Sequence, residues 1–268
     1  GGGVGTAPVP AGPIVPHDQS RGPTNGSRMI ALAIETATDR LSVALGRPGA
    51  PPLEACQAGA RMHAAALLPM VDRLLRDAGL TLGEVDVLGV ADGPGSFTGL
   101  RVGAAVVKAL ARSRPGLPVW TASTLMVRAA SAGPPHGARV LVVTSALRGE
   151  LYAASYRFDL PLRVDTLVAP ALATLETLHR ETPDLIVADA PDKLVDRVAD
   201  HFAAPLVRGP AALPSAVALL SLLGVPGGAE AISELDDWEP VYGRPAEAQV
   251  RWEATHGRRL SHPTRDPR

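Results

Sequence analysis

Residues 93–103 read Gly93-Pro94-Gly95-Ser96-Phe97-Thr98-Gly99-Leu100-Arg101-Val102-Gly103. A strand-like run, Val85 to Val90, precedes this stretch, and a helix-like run, Gly99 to Ser113, grows out of it. A glycine-rich turn from strand into helix leaves backbone N–H groups unpaired at a helix N-terminus, where the macrodipole favours an anion. Gly93 and Gly95 permit backbone angles closed to other residues, and Pro94 stiffens the turn. Such a turn can cradle a phosphate or carboxylate, dock a partner closely, or simply connect strand to helix in an α/β sheet. It is not a Walker A loop, because Gly99 is followed by Leu100 and Arg101 and the nearest lysine is Lys108. Nor is it a dinucleotide fingerprint, because the glycines fall at 93, 95 and 99, one position too long. Ser96 does not form a nucleophile elbow, since Pro94 takes the first glycine position of Gly-x-Ser-x-Gly and the next glycine is Gly99. A helix N-cap is the better reading of Ser96.

Outward from the loop, strand and helix patterns alternate. Met29 to Glu35 and Leu41 to Leu45 are apolar runs joined by the turn Thr36-Ala37-Thr38-Asp39, and Leu53 to Gln57 is a third extended piece. His63 to Ala78 reads as a helix with Leu67, Val71, Leu74, Leu75 and Ala78 on one stripe, Pro69 as a kink and Gly79 as its stop. Beyond the glycine loop come a strand at Pro118 to Trp120 and a helix at Ser123 to Ser131. Strands follow at Arg139 to Thr144, Glu150 to Arg157 and Leu162 to Leu167, then a helix at Ala171 to Arg180. A strand at Asp184 to Val187 and helices at Lys193 to His201 and Pro214 to Leu223 complete the set. Three strands, a helix, a strand and a helix thus occur twice, offset by roughly 110 residues. The expected fold is α/β: two duplicated lobes of the actin, sugar-kinase and Hsp70-like (RNase H-type) kind, mixed sheets flanked by helices, with the turns Glu35 to Asp39 and Ser145 to Gly149 facing a central cleft. The expected division is a disordered extension at 1–28, an N-terminal lobe at 29–133, a C-terminal lobe at 134–228 and a partly irregular segment at 229–268.

Composition limits the function classes. The 268 residues are 46% hydrophobic but only 3% aromatic, so the core is built from Leu, Val and Ala. A net charge of −1 argues against a free-standing nucleic-acid binder. The single Cys56 cannot form an internal disulfide, which fits a reducing, cytoplasmic setting, and no apolar stretch reaches transmembrane length. Residues 1–28 are rich in Gly and Pro and carry no signal-peptide pattern, which makes Met29 the expected functional start. The basic end, Arg258 to Arg268, reads as a solvated tail.

The sequence Met29-Ile-Ala-Leu-Ala-Ile-Glu-Thr-Ala-Thr-Asp39, His63 with Leu67-Leu68-Pro69, and the run Gly93 to Gly103 together resemble the TsaB (YeaZ) family. Ala122-Ser-Thr-Leu125, Arg148-Gly-Glu-Leu-Tyr152 and Glu239-Pro-Val-Tyr242 with Arg244 extend the resemblance in the same order. It implies a non-catalytic subunit that pairs, through its N-terminal lobe, with a TsaD-type transferase in making threonylcarbamoyladenosine on tRNA. A TsaE-type ATPase is implied as a further partner, tRNA is met mainly through the complex, and a second copy is a partner when the chain is alone. The catalytic relatives hold a metal with His-x-x-x-His; here His63 is followed by Leu67, so no metal site is expected. Glu35 stands where the family usually has Asp, and Ser145-Ala146-Leu147 where it often has Asp-Ala-Arg, which removes a phosphate-side carboxylate and an anion clamp. No catalytic residue and no required cofactor is therefore assigned. Glu35, Thr36, Thr38, Gly93, Gly95, Ser96 and Arg101 are candidates for an anion or nucleotide, ATP or ADP at a junction with partners being the implied one. Leu67, Val71, Leu74, Gly99, Leu100, Gly103, Ala104 and Val107 are candidates for the partner interface, where the apolar residues divide between core and partner and the small ones let a partner helix approach. The rival readings are a nucleotide-binding sugar-kinase-like enzyme and a peptidase-like protein of the same fold.

Overall fold

The computed structural model describes residues 29–242, apart from 48–49, 60–61, 147–149, 162 and 179–181, together with residue 255. The expectations about 1–28, about Leu147 and most of the second hairpin turn, and about Arg244 and the basic tail lie outside the described residues. Two sheets organise the rest. The first half runs β1 (Ala31–Glu35), β2 (Arg40–Arg47), β3 (Ala50–Ala58), α1 (His63–Asp77), β4 (Val87–Ala91), α2 (Phe97–Ser113), β5 (Val119–Ala122) and α3 (Thr124–Ser131). The second half repeats it with β6 (Ala138–Ser145), β7 (Leu151–Asp159), β8 (Arg163–Ala173), α4 (Leu175–Leu178), β9 (Leu185–Asp189), α5 (Asp192–Phe202), β10 (Leu206–Val207) and α6 (Ala216–Leu222). A short β11 (Glu230–Ala231) follows. The sheet orders are β11-β5-β4-β1-β2-β3 and β10-β9-β6-β7-β8. In each half three antiparallel strands are extended by parallel ones, β1 with β4 and β6 with β9, so the duplication is a duplication of topology.

Alternation along the central strands explains the layering. Leu32 and Ile34 of β1 point to one face and pack with Leu67, Val71 and Leu74 of α1 and Ala104 and Val107 of α2. Ala31 and Ala33 point to the other face and meet α3 and α6. Both faces are covered, so the strand reads as an unbroken apolar run rather than an alternating one. Val140 and Val142 of β6 reach the same middle layer from the second sheet, together with Tyr156 and Phe158 of β7. Leu141 and Val143 turn away to pack with Val195 and Val198 of α5. The molecule is thus layered helix, sheet, helix, sheet, helix, with α3 and α6 as the filling. The inward residues of the first sheet are small, Ala31, Ala33 and Ala44, which lets α6 lie close. A Cβ at Gly89 of β4 would touch Leu219 and Leu223.

Three expectations change. Ala171 to Arg180 is not a helix: β8 continues to Ala173, paired Ala171 to Ala153 and Leu172 to Tyr152, and only Leu175–Leu178 turn helical. Leucines spaced by threes lose there to a ladder partner that the local pattern cannot reveal. The boundary at 228 does not separate the lobes. α6 packs on β1, β2 and β4, and β11 joins the first sheet beside β5. The kink expected at Pro69 leaves α1 unbroken over its 15 residues, with Pro69 on its exposed side. Among the described residues no helix is long and apolar enough to cross a membrane.

Because α6 fills the layer shared by both sheets, truncating its fully buried Leu219 leaves a cavity that neither sheet can close alone. Leu219→Ala is expected to lower the unfolding free energy by about 2–5 kcal/mol in a urea titration, with far-UV circular dichroism unchanged before the transition.

Candidate functional site

The glycine loop lies against the chain's own first hairpin. Ser96 N–H donates to the Ala37 carbonyl at 2.7 Å. A Cβ on Gly95 would overlap that carbonyl, one on Gly99 would overlap the Thr36 carbonyl, and one on Gly103 would strike Thr36 Oγ1. The other side of the loop is closed by the chain's return. Val241 N–H donates to the Asp92 carbonyl at 2.7 Å, and Val241 O sits where a Gly93 side chain would have to go. Gly93 has φ +112°, which independently demands glycine. Three of the loop's N–H donors, those of Gly93, Ser96 and Gly99, are committed within the chain. Gly93 N–H goes to Thr124 Oγ1 at 3.0 Å, and Gly99 N–H goes to Ser96 Oγ at 3.2 Å. Ser96 is the N-cap of α2, as expected, and its hydroxyl serves the helix.

Of the predicted anion candidates, Gly95 and Ser96 meet the first hairpin by direct contact at Ala37, whereas Thr38 engages its own turn and Arg101 is exposed. Glu35 ends β1 fully buried, with Oε1 accepting the Ala37 N–H. Thr36 is buried against Gly103. Thr38 Oγ1 accepts the Arg40 N–H at 3.2 Å and is occupied by its own turn. Arg101 is exposed, its guanidinium 5.5 Å from the centre of the Phe97 ring, which in turn meets the Tyr242 ring at 4.7 Å.

The partner-interface candidates need correction. Leu67, Val71, Leu74, Gly99, Leu100, Gly103, Ala104 and Val107 are all buried within this chain. Leu67, Val71, Leu74, Ala104 and Val107 join the core over the first sheet, Leu100 is buried beside Gly93, and Gly99 and Gly103 have Thr36 lying against them. A helix stripe at period 3.6 marks the face nearest the sheet, so a sequence pattern finds the core side of α1 and α2 first. Their outer side carries Ala64, Ala65, Leu68 and Pro69 on α1, and Ala105 and Ala109 on α2, all exposed, with Leu68 at 49%.

Where the two sheets face each other, the strand ends gather charge. Glu35 closes β1, Asp92 follows β4 and Asp189 closes β9, the carboxyl ends of strands where open α/β sheets place their ligands. Burial pushes the Glu35 carboxyl up from 4.5 to about 7 against the opposing pull of the Ala37 N–H and of Arg128. Burial likewise lifts Asp92 from 3.8 to about 6, opposed by a hydrogen bond from Thr121. Arg128 of α3 is buried between the sheets; its Nη1 donates to the Ala212 carbonyl at 2.6 Å and pairs with Asp189 Oδ2 at 2.9 Å. Arg128 and Asp189 escaped the sequence reading. Their signal was a lone cation amid Leu125, Val127 and Ala129, and a carboxylate two residues past a predicted strand. His63 is buried at the start of α1, and the residue one turn on, Leu67, is core; these side chains do not fit the paired-imidazole metal site of transferase relatives. Among the described residues no three His, Cys, Asp or Glu side chains gather as metal ligands.

Comparison with known proteins places this geometry. A family model described as TsaD, tRNA N6-adenosine threonylcarbamoyltransferase, matches residues 54–202. The chain is 41% identical over 134 residues to the tRNA threonylcarbamoyladenosine biosynthesis protein TsaB of Escherichia coli (strain K12), covering 49% of this chain and 56% of that protein. It spans about half the length of the curated TsaB relatives it matches first. An uncharacterized protein of Mycobacterium tuberculosis is 36% identical over 192 residues, 69% of this chain and 83% of its own. Among solved structures, a Pseudomonas aeruginosa protein described as similar to peptidase YEAZ superposes with a TM-score of 0.66 at 30% identity, covering 81% of this chain and 100% of its own. YeaZ from Pseudomonas aeruginosa superposes at 0.62 and 28% identity, covering 80% and 99%.

Two outcomes follow from the geometry. Gly99→Ala is expected to lower the melting temperature by several degrees, because the new methyl collides with a backbone carbonyl that cannot swing aside. For Glu35 the folded state holds the proton more tightly than the unfolded chain. Stability should therefore fall as pH rises from about 4.5 to about 7. Glu35→Gln removes this loss, so the variant should be more stable than wild type at pH 8 by roughly 1–3 kcal/mol, the gap closing towards pH 4.5; parallel denaturant titrations at the two pH values measure it.

Proposed function

Since the chain belongs to the TsaB (YeaZ) family, we propose that it is the non-catalytic subunit that pairs with a TsaD-type threonylcarbamoyltransferase and supports threonylcarbamoyladenosine synthesis on tRNA. The observation that carries the reading is the outer side of α1 and α2. Ala64, Ala65, Leu68 and Pro69 on α1 and Ala105 and Ala109 on α2 present small and apolar groups to solvent on two helices that pack side by side. Small residues let a second pair of helices lie close, and an apolar patch framed by the charges of Asp72, Arg73 and Arg101 is the usual make-up of a protein interface.

The chemistry of the cleft favours the same reading. The position of a second metal-binding imidazole is Leu67, locked in the core. Ser145 ends β6 where an acidic residue would be wanted for phosphate chemistry, and its hydroxyl turns to the Ala146 carbonyl at 3.3 Å. A peptidase-like role gains nothing from Ser96, whose hydroxyl caps α2. The TsaE-type ATPase, tRNA and an adenine nucleotide belong to the assembled complex in this proposal.

Leu68→Asp puts a charge on the proposed contact without touching the core. It should leave the melting temperature within about 2 °C of wild type, as exposed substitutions do, while the TsaD-type subunit no longer co-purifies and reconstituted tRNA modification drops at least tenfold. Undiminished pairing and modification would refute the placement of the interface. Modification that proceeds equally well with the chain omitted would refute the role itself.

A further inference from the structure

We propose that the cleft between the two sheets is a self-liganded site: the Arg128 guanidinium, projecting from the shared middle layer, is the built-in cation that holds the strand-end carboxylate of β9 and the segment leading into α6, and so fixes the second sheet on that layer. The inference goes beyond the partner role and holds whether or not the chain pairs with a transferase.

The geometry is specific. Arg128 projects from α3, which packs on both sheets, and only 4% of its side chain is exposed. Nη1 reaches Asp189 at the end of β9 and the Ala212 carbonyl just before α6, so one nitrogen ties the second sheet to the segment that leads into the middle layer. On the other side Arg128 acts electrostatically on Glu35, which ends β1 of the first sheet. Glu35 Oε2 and Arg128 Nε are both buried without a hydrogen-bond partner among the described residues. A strand-end carboxylate half shielded from water, as Asp189 is, is matched by a cation held on the buried side. A planar guanidinium meets that need with directed donors and cannot shed its proton, which a lysine in the same place could do.

The surrounding bonds show how far the tie extends. Ser215 N–H donates to Ser131 Oγ, one turn along α3 from Arg128, at 2.9 Å. Ala216 N–H donates to Ser42 Oγ of β2 at 2.8 Å, and Ser42 Oγ in turn donates to Glu54 Oε1 at 2.6 Å. The entry to α6 is thus stitched to α3 and to the first sheet, and Arg128 adds the link to β9. Asp189 is 51% exposed, so the tie can be reached from solvent.

Arg128→Ala removes the cation and leaves space for a small one. The variant should melt roughly 6–15 °C below wild type, the range for breaking a buried pair in a chain of this size. Methylguanidinium at tens of millimolar should restore at least half of that loss, while methylammonium restores less and neither ion raises the melting temperature of wild type. An Arg128→Ala protein that melts like wild type, or that responds no differently from wild type to methylguanidinium, overturns the proposal. Should Arg128→Ala fail to fold, Asp189→Asn keeps the test open. Amide exchange in β9 and at 209–215 should then rise at least fivefold while α1 and α2 are unchanged, and exchange unaltered in β9 and 209–215 refutes the tie.

Discussion

Everything on the first lobe is referred to one close approach, that of α2 to the turn after β1. Gly95, Gly99 and Gly103 stand where a side chain would collide with Thr36 or Ala37, and the Ser96 N–H fastens the loop to the Ala37 carbonyl. Gly99 and Gly103, four apart within α2, lie on one line facing the hairpin, and Gly95 meets it from the loop just before the helix. With α2 pressed against the strand end, Val107 and Ala104 reach the outer face of β1, and α1 packs beside them. The loop thus anchors a helix on its own sheet, and its glycines stand where the hairpin's backbone comes close.

That arrangement separates two faces of the same helices. The inner stripe of α1 and α2 is fully used by the sheet. The outer side, small and apolar, is what remains for another protein. A family relationship to TsaB and a matched transferase model point to tRNA modification, and the outer side offers a physical route to it that needs no chemistry from this chain. In the interior the acid that ends β9 pairs with the buried Arg128, and the residue one turn on from His63 is a core leucine.

The return of the chain matters as much as its beginning. After the second sheet is complete, α6 goes back between the layers, β11 pairs with β5, and Trp238 enters the core of the first lobe. Lys108 and Arg112 of α2 then hold Glu239 and Asp236 at the surface. The two lobes therefore share a core, and the duplicated sequence order does not produce two independently packed halves.

Local pattern was enough for the alternating order of strands and helices, the duplication, the N-cap at Ser96 and the loss of a paired-histidine site, because each is encoded within a few neighbouring residues. The family motifs were likewise local. It was not enough for Ala171 to Arg180, where leucines at helical spacing yielded to pairing with β7, nor for α6 and β11, whose partners lie more than a hundred residues away. How the apolar residues of α1 and α2 divide between core and surface was left open for a related reason. Periodicity reports which residues avoid water, but only the folded chain shows whether they are hidden by its own sheet. The tie from Arg128 to Asp189 and Ala212 joins residues 61 and 84 positions apart, the separations 189 − 128 and 212 − 128. No short-range signal specifies such a contact; it exists because two sheets, each covered on its far side, leave their charged strand ends to be satisfied in the middle.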